Sequence, residues 1–124
     1  MATIYESDST VNTNDFTTFT VQRRDGAALI FDGTLLANFT TAGDGFARWS
    51  ELRIYRTEAG TYVTEQLGCS RIPGETTFRK VFSCEDQAAV VRSLRRNGKR
   101  GPYLTDLALD ALEAADIDPH NLTD

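Results

Sequence analysis

"LIFDGTLLA", residues 29–37, decides the fold, because an Asp-Gly pair set between two apolar runs is either a tight turn or part of a chemical motif. As a turn it is well suited: Asp-Gly is a preferred two-residue hairpin loop, since both positions tolerate positive φ. A hairpin turning at Asp32-Gly33 sets Ile30 opposite Leu35. A second such pair, Asp25-Gly26, turned the same way, sets Val21 opposite Ile30. Val21, Ile30 and Leu35 then form one row across three strands. Side chains alternate along a strand, so Phe19, Ala28, Ala37 and Phe39 join that row's face. The opposite face carries Thr20, Gln22, Leu29, Phe31, Thr34 and Leu36, half of them apolar. Either helices cover that face or it is a contact surface.

Outward from this stretch the pattern continues. From Phe16 to Cys84 the chain is rich in Thr, Val, Ile, Phe and Tyr, broken by Gly43-Asp44-Gly45, Glu58-Ala59-Gly60 and Pro73-Gly74. Short strands between such signals mark an antiparallel meander. Strands are expected over 47–57, 61–70 and 76–83. After Cys84 the periodicity changes. "SCEDQAAVVRSLRRNG" has Ser83 as N-cap with Asp86 three residues on, a stripe of Ala88, Val90, Val91 and Leu94, arginines in the last turn and Asn97-Gly98 as C-cap. A second helix, with Pro102 just inside its start, presents Leu104, Leu107, Ala108, Ala111, Leu112 and Ala115. The expected architecture is α+β: an antiparallel β-meander of five or six strands, then two C-terminal helices packed on one face. Residues 1–15 form a polar arm in which Ile4-Tyr5 adds a short edge strand. Residues 16–118 are a single domain, with the sheet over 16–84 and helices over 84–97 and 102–116; 119–124 is a tail.

The bulk properties bound the function. A chain of 124 residues, 40% apolar and 25% charged, is one domain with a real core. A net charge of −5 favours solubility and opposes a whole-surface affinity for nucleic acid or anionic membrane. No apolar run is long enough to span a bilayer, and "MATIYESDST" is not a secretory signal. A tight hairpin at Pro73-Gly74 puts Cys69 opposite Phe78 and Cys84 opposite Val63. The thiols are then out of step by roughly 20 Å, too far for a disulfide. Two free thiols suit a reducing cytoplasm.

Asp32-Gly33-Thr34-Leu35 resembles the opening motif of the haloacid-dehalogenase-type phosphatases, Asp-x-Asp-Gly-Thr. That resemblance implies a doubly wound parallel sheet and an aspartate nucleophile two residues before Asp32. Ile30 stands there and cannot attack phosphorus, and no βαβ alternation follows. His120, the single histidine, lies in the tail. Cys69 and Cys84 lack zinc-site spacing, and Gly43-Asp44-Gly45 is too short for a calcium loop. Glu51, Glu58, Glu65 and Glu75 lie on or near strands without a marked partner, Glu65 mid-strand between Val63 and Leu67. No catalytic, cofactor or metal site is assigned.

The most unusual local feature is "RSLRRNGKR", residues 92–100. It holds five of the thirteen basic residues of an acidic chain: Arg92, Arg95, Arg96, Lys99 and Arg100. They either stabilise a helix C-terminus, fill a solvated loop and pair with the acidic side of the second helix, or bind phosphates or an acidic partner. Trp49 is a core residue or an interface anchor, and Leu29, Phe31 and Leu36 would make an exposed apolar patch on the sheet. The expectation is a small non-catalytic cytoplasmic interaction protein, of accessory or inhibitor type and of phage, plasmid or mobile-element origin. It binds a protein partner or a second copy of itself, as a homodimer, through a sheet face or the arginine-rich helix end. Two alternatives remain open: a nucleic-acid-binding regulator using the 92–100 cluster, and an enzyme or small-ligand binder whose site is assembled from distant residues.

Overall fold

A computed structural model of the chain describes residues 16–43 and 45–120. The expected polar arm with Ile4-Tyr5, Asp44 and the last four residues lie outside the described residues. Five strands form one antiparallel sheet in chain order: β1 (Thr17–Gln22), β2 (Ala28–Thr40), β3 (Arg48–Thr57), β4 (Tyr62–Ser70) and β5 (Phe78–Cys84). Helices α1 (Gln87–Leu94) and α2 (Asp106–Ala114) follow, separated by a two-stranded ribbon, β6 (Arg96–Gly98) and β7 (Gly101–Tyr103). The architecture is thus the expected α+β meander with two C-terminal helices on one face, and the ribbon is an addition.

The sheet has five strands because Asp32-Gly33 is not a turn. β2 runs unbroken through it for 13 residues. Its first half, Ala28–Gly33, pairs with β1, and its second half, Gly33–Thr40, pairs with β3. Gly33 is the one residue that belongs to both ladders. The pair therefore marks where β2 passes from one neighbour to the other. Asp32 accepts a hydrogen bond from the Thr18 hydroxyl across the β1 ladder, and its carbonyl accepts from Glu58 N at 2.8 Å. Gly33 has no left-handed φ. It is glycine because a Cβ there would stand 2.2 Å from the Arg56 carbonyl oxygen. Ile30 and Leu35 do not face each other, and Ile30 is 64% exposed.

Asp25-Gly26 does turn the chain, through three residues rather than two. Gly26 sits at φ 93° after Arg24 and Asp25, and Arg23 N donates to Ala27 O at 2.9 Å, the three-residue hairpin loop closed by a left-handed glycine. The extra residue moves the register by one, so Val21 opposes Leu29 and Phe19 opposes Phe31. A one-residue slip exchanges the two faces. Leu29 and Phe31, not Ile30, therefore join Val21. A second irregularity lies between Leu35, which opposes Tyr55, and Ala37, which opposes Ile54. Leu36 is the extra residue of this bulge. Beyond it the alternation reverses, which carries Ala37 and Phe39 to the helix side and away from Val21.

Two cores result. On one face Ala37, Leu52, Ile54, Tyr62 and Cys84 pack against Val90, Val91 and Leu94 of α1 and Ala108, Ala111 and Leu112 of α2. On the other face Val21, Tyr55 and Val63 are buried with Phe19, Leu29, Phe31 and Val81 around them. The Phe19 and Phe31 rings meet Tyr55 edge-on, with centroids 4.8 and 5.4 Å away. Thus β1 and its half of β2 form an arm that curls back over the face opposite the helices. Its tip reaches β5, where the Arg24 guanidinium lies 4.8 Å over the Phe78 ring.

The helix ends differ from expectation. Ser83 is held in the β5 ladder opposite Val63, so Asp86 caps α1, its Oδ1 accepting from Ala89 N at 2.8 Å. α1 stops at Leu94 because Arg95 is extended, and Asn97 and Gly98 pair with Pro102 and Gly101 instead of capping. Pro102 lies in β7. α2 begins after Thr105, whose Oγ1 accepts from Ala108 N at 3.1 Å. Past α2 the chain stays anchored to Ile117, which is buried in the helix-side core. Cys69 and Cys84 are free thiols, and their positions in the register put them on opposite faces of the sheet.

Candidate functional site

The ribbon divides the basic cluster among different elements. Arg92 occupies the last turn of α1, where a cation suits the helix dipole. Arg95 is the C-cap. Arg96 lies in β6, and Lys99 and Arg100 form the loop at the ribbon's tip, with Gly101 at φ 109° completing the turn. Arg96, Lys99 and Arg100 are exposed. Four of the five do not make the expected pairing with acids of α2: among the described residues Arg95, Arg96, Lys99 and Arg100 make no ion pair. Tyr103 lies across the ribbon. A Cβ on Gly98 would meet its ring at 3.0 Å, so glycine lets the ring lie flat there.

The cluster has cationic neighbours that sequence spacing did not reveal. A cavity of about 90 Å³ at the ribbon's base is lined by Arg96 together with Lys80 of β5, Ser50, Glu51, Gln66 and Thr105. Lys80 also borders a hollow with Arg79 and with Arg23 and Arg24 of the β1–β2 turn. Its ammonium lies 5.7 Å from the centroid of Phe78, the ring that Arg24 covers. "RR" and "RK" are unremarkable pairs in the sequence. Only the curl of the arm brings them together.

The remaining candidates have local roles. Trp49 is half-buried, donates from Nε1 to Glu51 at 2.9 Å, and lies 4.8 Å under the Arg71 guanidinium. Leu29 and Phe31 pack in the second core while Leu36 packs against the helix-side core, so the three do not form the expected common patch. Glu65 is 6% exposed and is engaged by Arg53 at 3.1 Å and by the Tyr55 hydroxyl at 3.3 Å. Arg53 also reaches Glu51 at 2.9 Å. Burial disfavours the Arg53 charge, but Glu65, together with Tyr55 and Glu51, outweighs it and the guanidinium is held above its ordinary value. Burial, and then the Glu65 carboxylate, push the Tyr55 phenol up to about 12. This network satisfies a carboxylate under the arm, which a buried charge requires.

Cys69 shows no activation. Burial and the nearby Glu51 carboxylate push its thiol up, which disfavours the nucleophilic thiolate. Glu75 is held below its usual range by Arg48, at 2.6 Å, and by Ser70. His120 is exposed. Among the described residues no group of three or more His, Cys, Asp and Glu side chains is placed to hold a metal ion, and no helix is long and apolar enough to cross a membrane. Asp32 lies within an antiparallel strand, so the parallel sheet implied by the phosphatase resemblance is not the fold. No family model matches the chain, and no curated protein or solved structure matches it.

Proposed function

We propose that this chain is a non-catalytic interaction protein that holds a polyanionic macromolecule through the β6–β7 ribbon. The observation that carries this is the ribbon tip. Arg96, Lys99 and Arg100 are exposed and make no ion pair among the described residues, in a chain whose eighteen acids outnumber its thirteen Lys and Arg. Acids are plentiful, yet the ribbon's cations are left for an external counter-charge. Concentrating positive charge in one place also reconciles an acidic chain with an anionic partner, because attraction falls off within about 10 Å at ordinary salt.

The test is retention of the full chain on a heparin column under a salt gradient. Wild type is expected to bind and to elute with salt. Arg96→Glu, Lys99→Glu and Arg100→Glu are each expected to elute earlier, and the triple variant to flow through with its circular dichroism unchanged. A triple variant that elutes with wild type refutes the proposal.

A further inference from the structure

We infer that the polyanion is single-stranded nucleic acid, lying across the ribbon and along β5 to the β1–β2 turn. This rests on the polyanion reading above and narrows it. The charge comes first. Arg23, Arg24, Arg79 and Lys80 continue the row that begins at the ribbon, linked to it through the hollows that Lys80 shares with Arg96 on one side and with the turn on the other. None of the four makes an ion pair among the described residues. Two acids border the row: Asp25 Oδ1 accepts from Ala27 N at 2.9 Å, and Glu51 accepts from Trp49 Nε1 and from Arg53, each at 2.9 Å. Protecting an edge strand from aggregation needs a single lysine. Here the cations arrive from three separate segments of the chain.

The aromatic side chains then choose between partners. Phe78, Phe82 and Tyr103 are 44%, 43% and 48% exposed, and all three stand in or beside this row. Phe78, Lys80 and Phe82 share one side of β5, about 6.7 Å apart, and Arg79 lies on the other, so the row passes around this edge strand. An acidic protein surface would satisfy the cations and leave these rings wet. A duplex offers phosphates but keeps its bases stacked inside. A single strand offers both backbone charge and free base faces, and a cationic track with aromatic platforms is how proteins bind it without sequence preference. In this arrangement Arg24 and Lys80 flank Phe78, and Phe82 and Tyr103 carry the stacked bases.

The test is fluorescence anisotropy on the full chain with labelled oligo(dT) of about 16 nucleotides, the upper end of common site sizes, beside a duplex of equal length and labelled polyglutamate. Oligo(dT) is expected to bind in a salt-sensitive manner and more tightly than the duplex. Phe82→Ala and Tyr103→Ala are each expected to weaken oligo(dT) by about 5- to 150-fold, the loss of one stacked base, and to leave polyglutamate unchanged. Phe82→Leu, which keeps an apolar side chain and the fold, is expected to lose as much as Phe82→Ala. Arg24→Glu with Lys80→Glu is expected to weaken both ligands. Equal affinity for duplex and single strand, or Phe82 and Tyr103 variants that bind oligo(dT) as wild type does, would overturn the inference. Polyglutamate bound more tightly than oligo(dT) would overturn it in favour of an acidic protein partner and leave the polyanion reading standing. Binding of none of the three would end both.

Discussion

Gly33→Ala tests the most consequential local feature of the sheet. A Cβ at this position would lie 2.2 Å from the Arg56 carbonyl oxygen, whereas real Cβ atoms essentially never come within 3.0 Å of such a group. β2 and β3 must therefore part by roughly 1 Å, and close-packed interiors resist such shifts. The separation breaks the Glu58 N to Asp32 O bond, now 2.8 Å, and strains the Gly33–Thr57 pairing. Those two losses cost about 1 kcal/mol each. Loosening the arm under Phe31 adds about 1 kcal/mol of lost burial. The expected destabilisation is about 2–4 kcal/mol, read as a lower urea midpoint by far-UV circular dichroism. Gly33→Asn separates crowding from turn geometry. Asparagine tolerates a left-handed backbone, so it would rescue a turn glycine, but it carries the same offending Cβ. Asn and Ala are expected to be equally harmful at Gly33. At Gly26, which has φ 93° and nothing within 4 Å of an added Cβ, Asn is expected to be the milder substitution. Stability within about 0.5 kcal/mol of wild type for Gly33→Ala, or a clear advantage of Asn over Ala there, would refute the hand-over.

Three further outcomes are expected. Asp86→Ala should cost about 1 kcal/mol by removing the α1 cap, and Ser83→Ala should stay within about 0.5 kcal/mol; urea melts of both variants check which residue caps the helix. Tyr55 is raised in the folded state from 10.0 to about 12, so folding favours its protonated form. Its stabilising contribution is complete below pH 10 and lost as pH rises through 12, and Tyr55→Phe should flatten that part of a stability-against-pH curve. Cys69 should react with a disulfide reagent with an apparent pKa above that of an ordinary thiol, raised by burial and by Glu51, and Glu51→Gln should bring it down; unchanged kinetics would remove the Glu51 carboxylate from its surroundings.

The fold class was legible because period-2 and helical patterns persist over long segments: β3, β4 and the buried stripes of both helices fall where apolar spacing puts them. What sequence could not separate were two chemically identical pairs. Asp25-Gly26 turns and Asp32-Gly33 does not, because the second is fixed by contact with the Arg56 backbone, a neighbour far along the chain. The Leu36 bulge escaped for the same reason. An extra residue in a strand is visible only against its partner, yet it decides which face Ala37 and Phe39 occupy. Arg95 to Tyr103 look helical up to Asn97-Gly98, a good cap and an equally good start to a hairpin. Of the candidate site, residues 92–100 were visible as a charge run. The contribution of Arg23, Arg24, Arg79 and Lys80 depends on the arm curling back to β5, which no local spacing encodes.

A partner held by this protein would lie on one continuous surface that runs from the ribbon, around the β5 edge, to the β1–β2 turn. Amide chemical-shift mapping of the ¹⁵N-labelled full chain during titration with oligo(dT) tests it most directly. Shifts are expected to concentrate at 23–26, 78–82 and 96–103 and to diminish as salt is raised. Shifts confined to the exposed side of α2 or around Ile30, with those three segments unmoved, would contradict it.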